Sequence, residues 1–194
     1  MAEDAVLTAV RDLVDRLPLV AAFAGPWPEG PRRRIKPAAL PVCAALAQAD
    51  RGATSLTRDL VHAVVQAAPD LRWQQSYGAG DFGAAFLQGY GWSEFAGLRG
   101  PLPCDHLAIG VLLLGPQMTY PSHAHEAAEI YVPLSGTALW QRGDGPFAAV
   151  EPGQVIEHPS WLPHAMRTEA APLLALYLWR GGYLAAKSVI LTTP

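Results

Sequence analysis

The residues with the most chemistry in them lie between Gly115 and Gly136, where His123 and His125 flank Ala124, Glu129 follows and Tyr131 comes two beyond it. Imidazole and carboxylate groups at this density are transition-metal ligands, soft and hard donors mixed. On a β-strand, residues two apart share a face, so His123 points with His125 and Glu129 with Tyr131. A helix would instead bring His125 and Glu129 together at i and i+4. Ile130, Tyr131 and Val132 favour strand, and Pro121 and Pro133 bracket the stretch. The reading is two strand segments with a bend at Glu126–Ala128.

The elements that must hold these groups fall into two classes. Residues 2–16 place Ala5, Val6, Val10, Leu13, Val14 and Leu17 at helical intervals, and Pro18 closes that helix. Residues 19–37, with four prolines, read as a surface loop. A second helix is expected at 38–49, and a third, capped by Ser55 or Thr57, runs to Ala68. Residues 71–100 are rich in glycine and carry Trp73, Tyr77, Phe82, Phe86, Tyr90, Trp92 and Phe95. They read as a connector whose rings pack on a scaffold or wall a pocket. From Asp105 onward the chain becomes short β-rich runs: His106–Leu114, Gln117–Pro121, Glu129–Leu134, Thr137–Arg142, Phe147–Val150, Gln154–Glu157, Ala165–Thr168, Leu173–Arg180 and Lys187–Thr192. Such spacing argues for a mainly β protein, an antiparallel sandwich or small barrel. Residues 1–194 are read as one domain, with 1–100 a helical layer plus connector and 101–194 the barrel.

Composition narrows the function classes. Half of the chain is apolar and 16% is charged, which fits a globular protein. A net charge of −3 gives no expectation of nucleic acid or of an anionic membrane as partner. The basic cluster Arg32, Arg33, Arg34 and Lys36 reads as a solvated connector, since no aromatics interleave it. Cys43 and Cys104 are too few for a disulfide framework. The acidic start and the short apolar runs lead to the expectation of a cytoplasmic protein with no signal peptide and no spanning helix.

A second cluster, Glu151–Thr168, carries Gly153, Pro159 and His164. Together the two stretches resemble the paired motifs of the cupins: His123, His125, Glu129 and Gly136 match the first, and Gly153, Pro159 and His164 the second. Trp161 stands where the second motif has a glycine, Thr168 where it has an asparagine, and seven residues separate Gly115 from His123 where five are usual. The resemblance implies a small jelly-roll barrel in which His123, His125, Glu129 and His164 hold one divalent ion. Such a donor set leaves room for water or substrate and suits zinc, iron, manganese, nickel or cobalt. His62, His106 and His158 lack this register and read as structural or surface residues.

Tyr131 shares the Glu129 face, and a phenol beside a divalent cation loses its proton more readily, which makes it a candidate general base. The run from Thr119 to Gly136, the segment from Asp81 to Gly97 and the helical N-terminus are similar to the cupin-type dimethylsulfoniopropionate (DMSP) lyases. That resemblance implies β-elimination to dimethyl sulfide and acrylate, with Tyr131 as base and Tyr120 positioning substrate. It also makes a homodimer plausible. A sulfonium needs an electron-rich wall, for which Tyr120, Trp140, Trp179 and Tyr183 are candidates, followed by Trp92 and Tyr90. Other cupin chemistries use the same ligands. A dioxygenase or isomerase acting on a small acid or thiol, or a binding domain without catalysis, stays open on the residues alone.

Overall fold

The computed structural model describes residues 2–191. It opens with helices α1 (Ala2–Asp15), α2 (Pro18–Ala24), α3 (Leu46–Arg51), α4 (Arg58–Ala67) and α5 (Ala79–Gln88). Strands follow as β1 (Tyr90–Ala96), β2 (Leu107–Leu114), β3 (Thr119–Ala124), β4 (Ala128–Ser135) and β5 (Ala138–Arg142). The rest are β6 (Ala148–Val150), β7 (Ile156–His158), β8 (His164–Thr168), β9 (Leu173–Arg180) and β10 (Val189–Ile190). They form two five-stranded antiparallel sheets in the orders β1-β2-β9-β4-β7 and β10-β3-β8-β5-β6. Each of the nine expected runs overlaps a strand, with β3, β4, β7 and β8 extending past the expected bounds, and Thr192 lies outside the described residues.

Three expectations need correcting. Residues 19–37 are not all loop, because Pro18 begins α2: a proline has no N–H to lose in the first helical turn. The 71–100 connector contains α5 and β1, so the barrel starts before residue 100. Its glycines hid α5, which is kinked at Gly83 with φ +80°. Thr57 stands at the start of α4 but does not cap it with its side chain. Its hydroxyl instead donates to the Leu134 carbonyl at 2.6 Å, docking the helix on β4.

The first sheet is buried on both faces, which explains its nearly continuous apolar strands. Leu107, Ile109, Val111 and Leu113 of β2 pack with Ile130, Val132 and Leu134 of β4, Leu174, Leu176 and Leu178 of β9, and the helices' Val6, Val10, Leu60, Val61 and Val64. The alternate residues face the second sheet: Leu112, Leu114, Tyr131, Leu173, Ala175 and Tyr177 meet Tyr120, Trp140 and Met166 there. Helices α1–α4 therefore cover the outside of one sheet, whereas α5 sends Phe86 into the cluster between the sheets. The same alternation turns Glu129 and Tyr131 inward.

Two close approaches require glycine. Gly136 ends β4 with φ +80°, and a Cβ there would lie 2.0 Å from the Pro172 carbonyl oxygen. A Cβ on Gly110 would sit 2.3 Å from the Ser93 carbonyl oxygen and 2.6 Å from the Tyr177 hydroxyl. Among the described residues no helix is long and apolar enough to cross a membrane.

Candidate metal centre

Strand alternation brings Glu129 inward from β4, and pairing sets His123 of β3 opposite His164 of β8. The β3–β8 register shifts between Tyr120 and His123, a bulge that lets residues three apart both face the interior. The expected bend separates β3 from β4 and places His125 just past the end of β3. Trp161 donates its backbone N–H to the His125 carbonyl at 2.8 Å, tying the second motif to the first. Its φ is +62°, in the left-handed region that glycine adopts most readily.

Ligand atoms of His125, Glu129 and His164 all lie within 4.8 Å of one another, and all three residues are buried. The Nε2 atoms of His125 and His164 stand 3.0 Å and 3.3 Å from Glu129 Oε2. The Nδ1 atoms of His123, His125 and His164 lie 2.9, 2.8 and 2.9 Å from the carbonyl oxygens of Pro121, Ala127 and Leu162. A carbonyl only accepts, so each Nδ1 carries the proton and a neutral ring offers Nε2 as a lone pair. Lone pairs of His125 and His164 then converge on a carboxylate oxygen, an arrangement that a cation between them satisfies. His164 Nε2 is buried and has no hydrogen-bond partner. The donor set fits a divalent metal ion.

His123, the expected fourth ligand, adjoins this trio: its ring centre lies 4.1 Å from that of His164, and it lines the adjoining cavity. Its ring is held parallel to Tyr120, 4.0 Å away and 10° tilted, in addition to its bond to Pro121. His158 is the residue the sequence reading missed. It is buried, pairs with Glu129 across β4 and β7, and stacks on His164 at 4.0 Å. Neither of its nitrogens has a hydrogen-bond partner, and Nδ1 is 3.8 Å from Glu129 Oε2. Its position beside Pro159 gave no sign of this; the cross-strand pairing does. His62 and His106 are exposed.

Charge in the site follows burial and partners. Where a proton instead of a cation sits between His125 and Glu129, burial works against a charged Glu129, yet the His125 charge and hydrogen bond, with His164 beside them, hold the carboxyl well below its usual range. His125 is shifted upward because Glu129 outweighs its own burial. Burial, then the His164 charge, pushes His123 well down. The same two causes take His158 to about 3.

A cavity of about 50 Å³ opens beside the trio. His123, Glu129, Tyr120 and Tyr131 line it, with Tyr90, Trp92, Tyr177 and Trp179 forming most of the aromatic wall. Burial, then the neighbouring Glu129 charge, raises the Tyr131 phenol well above its ordinary value. The Tyr120 hydroxyl bonds that of Tyr77 at 2.8 Å. Trp140 and Tyr183 are not in this wall. Trp140 packs behind Tyr131 with ring centres 5.0 Å apart. Tyr183 is 63% exposed, in the turn after β9. Sequence spacing did not point to Tyr177, Glu94 or Arg99, which also line the cavity. Glu94 is buried, and burial raises its carboxyl, against backbone N–H bonds from Arg99 and Gly100.

The paired antiparallel sheets and the inward His–Glu–His cluster define a mainly β, double-sheet protein with a candidate metal centre. The chain belongs to the dimethylsulfoniopropionate lyase family, whose model matches residues 21–175. It is 32% identical over 190 residues to the DMSP lyase DddQ of Ruegeria pomeroyi, covering 97% of this chain and 93% of that protein. The crystal structure of DddQ from that organism superposes with a TM-score of 0.91 at 30% identity, over 97% of this chain and 95% of the other. A chain from the crystal structures of the DMSP lyases RdDddP and RnDddQII gives a TM-score of 0.91 at 37% identity, covering 98% of each.

Proposed function

We propose that this chain is a carbon–sulfur lyase that cleaves DMSP by β-elimination into dimethyl sulfide and acrylate. Membership of the lyase family supports the reaction class. The observation that carries the reading is the inward placement of Tyr131 on the cavity wall with Glu129 of the candidate metal centre.

His123, His125, Glu129 and His164 would hold the ion, which would supply positive charge toward the substrate carboxylate and the Tyr131 phenolate. Tyr131 takes the proton from the carbon next to the carboxylate. Those electrons form the new double bond as the bond from the β-carbon to sulfur breaks. Sulfur departs as a neutral sulfide, so no acid is needed to protonate it. The aromatic faces of Tyr90, Trp92, Tyr120, Tyr177 and Trp179 suit the sulfonium, at about 0.5–2 kcal/mol per cation–π contact. Tyr77 fixes the Tyr120 hydroxyl, which orients that ring. The donor set suits zinc, iron, manganese, cobalt or nickel alike.

The test is headspace dimethyl sulfide from purified protein given DMSP in sealed anaerobic and aerobic vials. Equal release of dimethyl sulfide and acrylate, with or without oxygen, is expected. A strict oxygen requirement or absence of sulfide overturns the reading in favour of an oxygenase or a different substrate.

A further inference from the structure

Trp179 lines the cavity, where its ring is one of several aromatic faces, but its indole nitrogen does something the others do not. Its N–H donates to Glu129 Oε1 at 2.6 Å. The other carboxylate oxygen, Oε2, is the one that faces Nε2 of both His125 and His164. The two oxygens of one buried carboxylate are thus divided between an indole and the candidate metal centre. Pairing makes the arrangement rigid, because Glu129 and Trp179 are direct partners across β4 and β9. The Trp179 ring also lies against His125, with centres 4.2 Å apart and planes 33° from parallel. One side chain therefore contacts two members of the ligand trio.

We infer that Trp179 is a positioning residue that holds Glu129 as a one-oxygen ligand and so keeps a coordination position open for the substrate carboxylate. The inference rests on the metal-lyase reading and deepens it. An indole N–H is a donor only and cannot bind a metal. While it occupies Oε1, that oxygen is kept from turning onto the ion. Without the donor, the carboxylate can close on the ion with both oxygens and take the position the substrate needs. Substituting groups that orient metal ligands typically costs about 10–100-fold in affinity or activity.

Trp179→Phe keeps an aromatic ring and removes the donor, and the coordination number of the bound ion, which does not sense cation–π attraction, separates this role from the smaller size of the ring. The probe is cobalt(II), whose visible bands weaken as its coordination number rises, read first without substrate and then with added propionate. The expected variant binds one cobalt per chain, shows weaker bands than the native protein and responds little to propionate. Its KM for DMSP rises about tenfold or more, with kcat changed less. Bands and propionate response identical to the native protein overturn the inference, even if DMSP is cleaved. Altered bands in a protein that does not cleave DMSP uphold the positioning role and reject only the substrate. Should the variant not fold, the native protein decides through infrared difference spectra on zinc addition. A wide separation of the carboxylate stretches marks one-oxygen binding, and a narrow one overturns the proposal.

Discussion

Removing the metal should destabilise the fold by an amount that the site itself allows to be estimated. Glu129 has no exposed side-chain surface, and its Oε2 is approached by Nε2 of His125 and of His164 at 3.0 Å and 3.3 Å. This convergence exists only when β4 and β8 are in place, so an ion that binds it binds the folded chain in preference to the unfolded one. Linkage then stabilises the fold by about 2.7 kcal/mol at a free metal concentration 100 times Kd and by about 4.1 kcal/mol at 1,000 times Kd. For a domain of this length each kcal/mol moves Tm by about 2–4 °C. Chelated protein titrated with zinc or manganese should therefore gain roughly 5–16 °C in calorimetry. Glu129→Ala should show almost no such rise. A native Tm indifferent to metal, or an equal rise in Glu129→Ala, would refute the assignment of these three residues as the binding site.

Two further perturbations probe the frame around the site. Gly110→Ala drives a methyl group toward the Ser93 backbone and the Tyr177 hydroxyl. Urea unfolding should show a loss of about 1–3 kcal/mol or more, and unchanged stability would mean that β1 and β2 separate more easily than their packing implies. His158 gives a pH dependence with a definite sign. Its folded pKa is about 3 against an ordinary 6.5, so below pH 6.5 the unfolded chain takes up a proton that the folded chain refuses. Stability contributed above that pH is lost as pH falls toward 3, at about 1.4 kcal/mol per pH unit. In chelated protein taken from pH 7 to pH 5, the native chain should lose roughly 2 kcal/mol more than His158→Leu. Equal losses would show that His158 titrates freely.

The β half of the fold was legible because its strands are short, apolar and punctuated by glycine and proline, and because Glu129 and Tyr131 obey the two-residue period. The site was less so. Tyr120 and His123 are three apart, and only the β3 bulge brings both inside. His158 enters through a cross-strand pairing that leaves no mark in its own neighbourhood. Trp140 and Tyr183 have the right chemistry for a sulfonium wall, yet one packs behind Tyr131 and the other faces solvent. Helix α5 was hidden because Gly80 and Gly83 weaken its propensity, and packing of Phe82 and Phe86 around Tyr77 compensates. Local pattern thus carried the strands and the ligand types, while the identity of the wall depended on long-range pairing.

Tyr131 is where the functional account is most exposed. The most direct measurement is the rate of dimethyl sulfide release by Tyr131→Phe beside the native protein, with metal per chain assayed in both. The substitution keeps the ring packed 5.0 Å from Trp140 and removes only the hydroxyl. The account predicts a fall in kcat of about 10²–10⁴-fold, the usual worth of a general base, with metal content unchanged. Sulfide release at the native rate from the metal-loaded variant would contradict it.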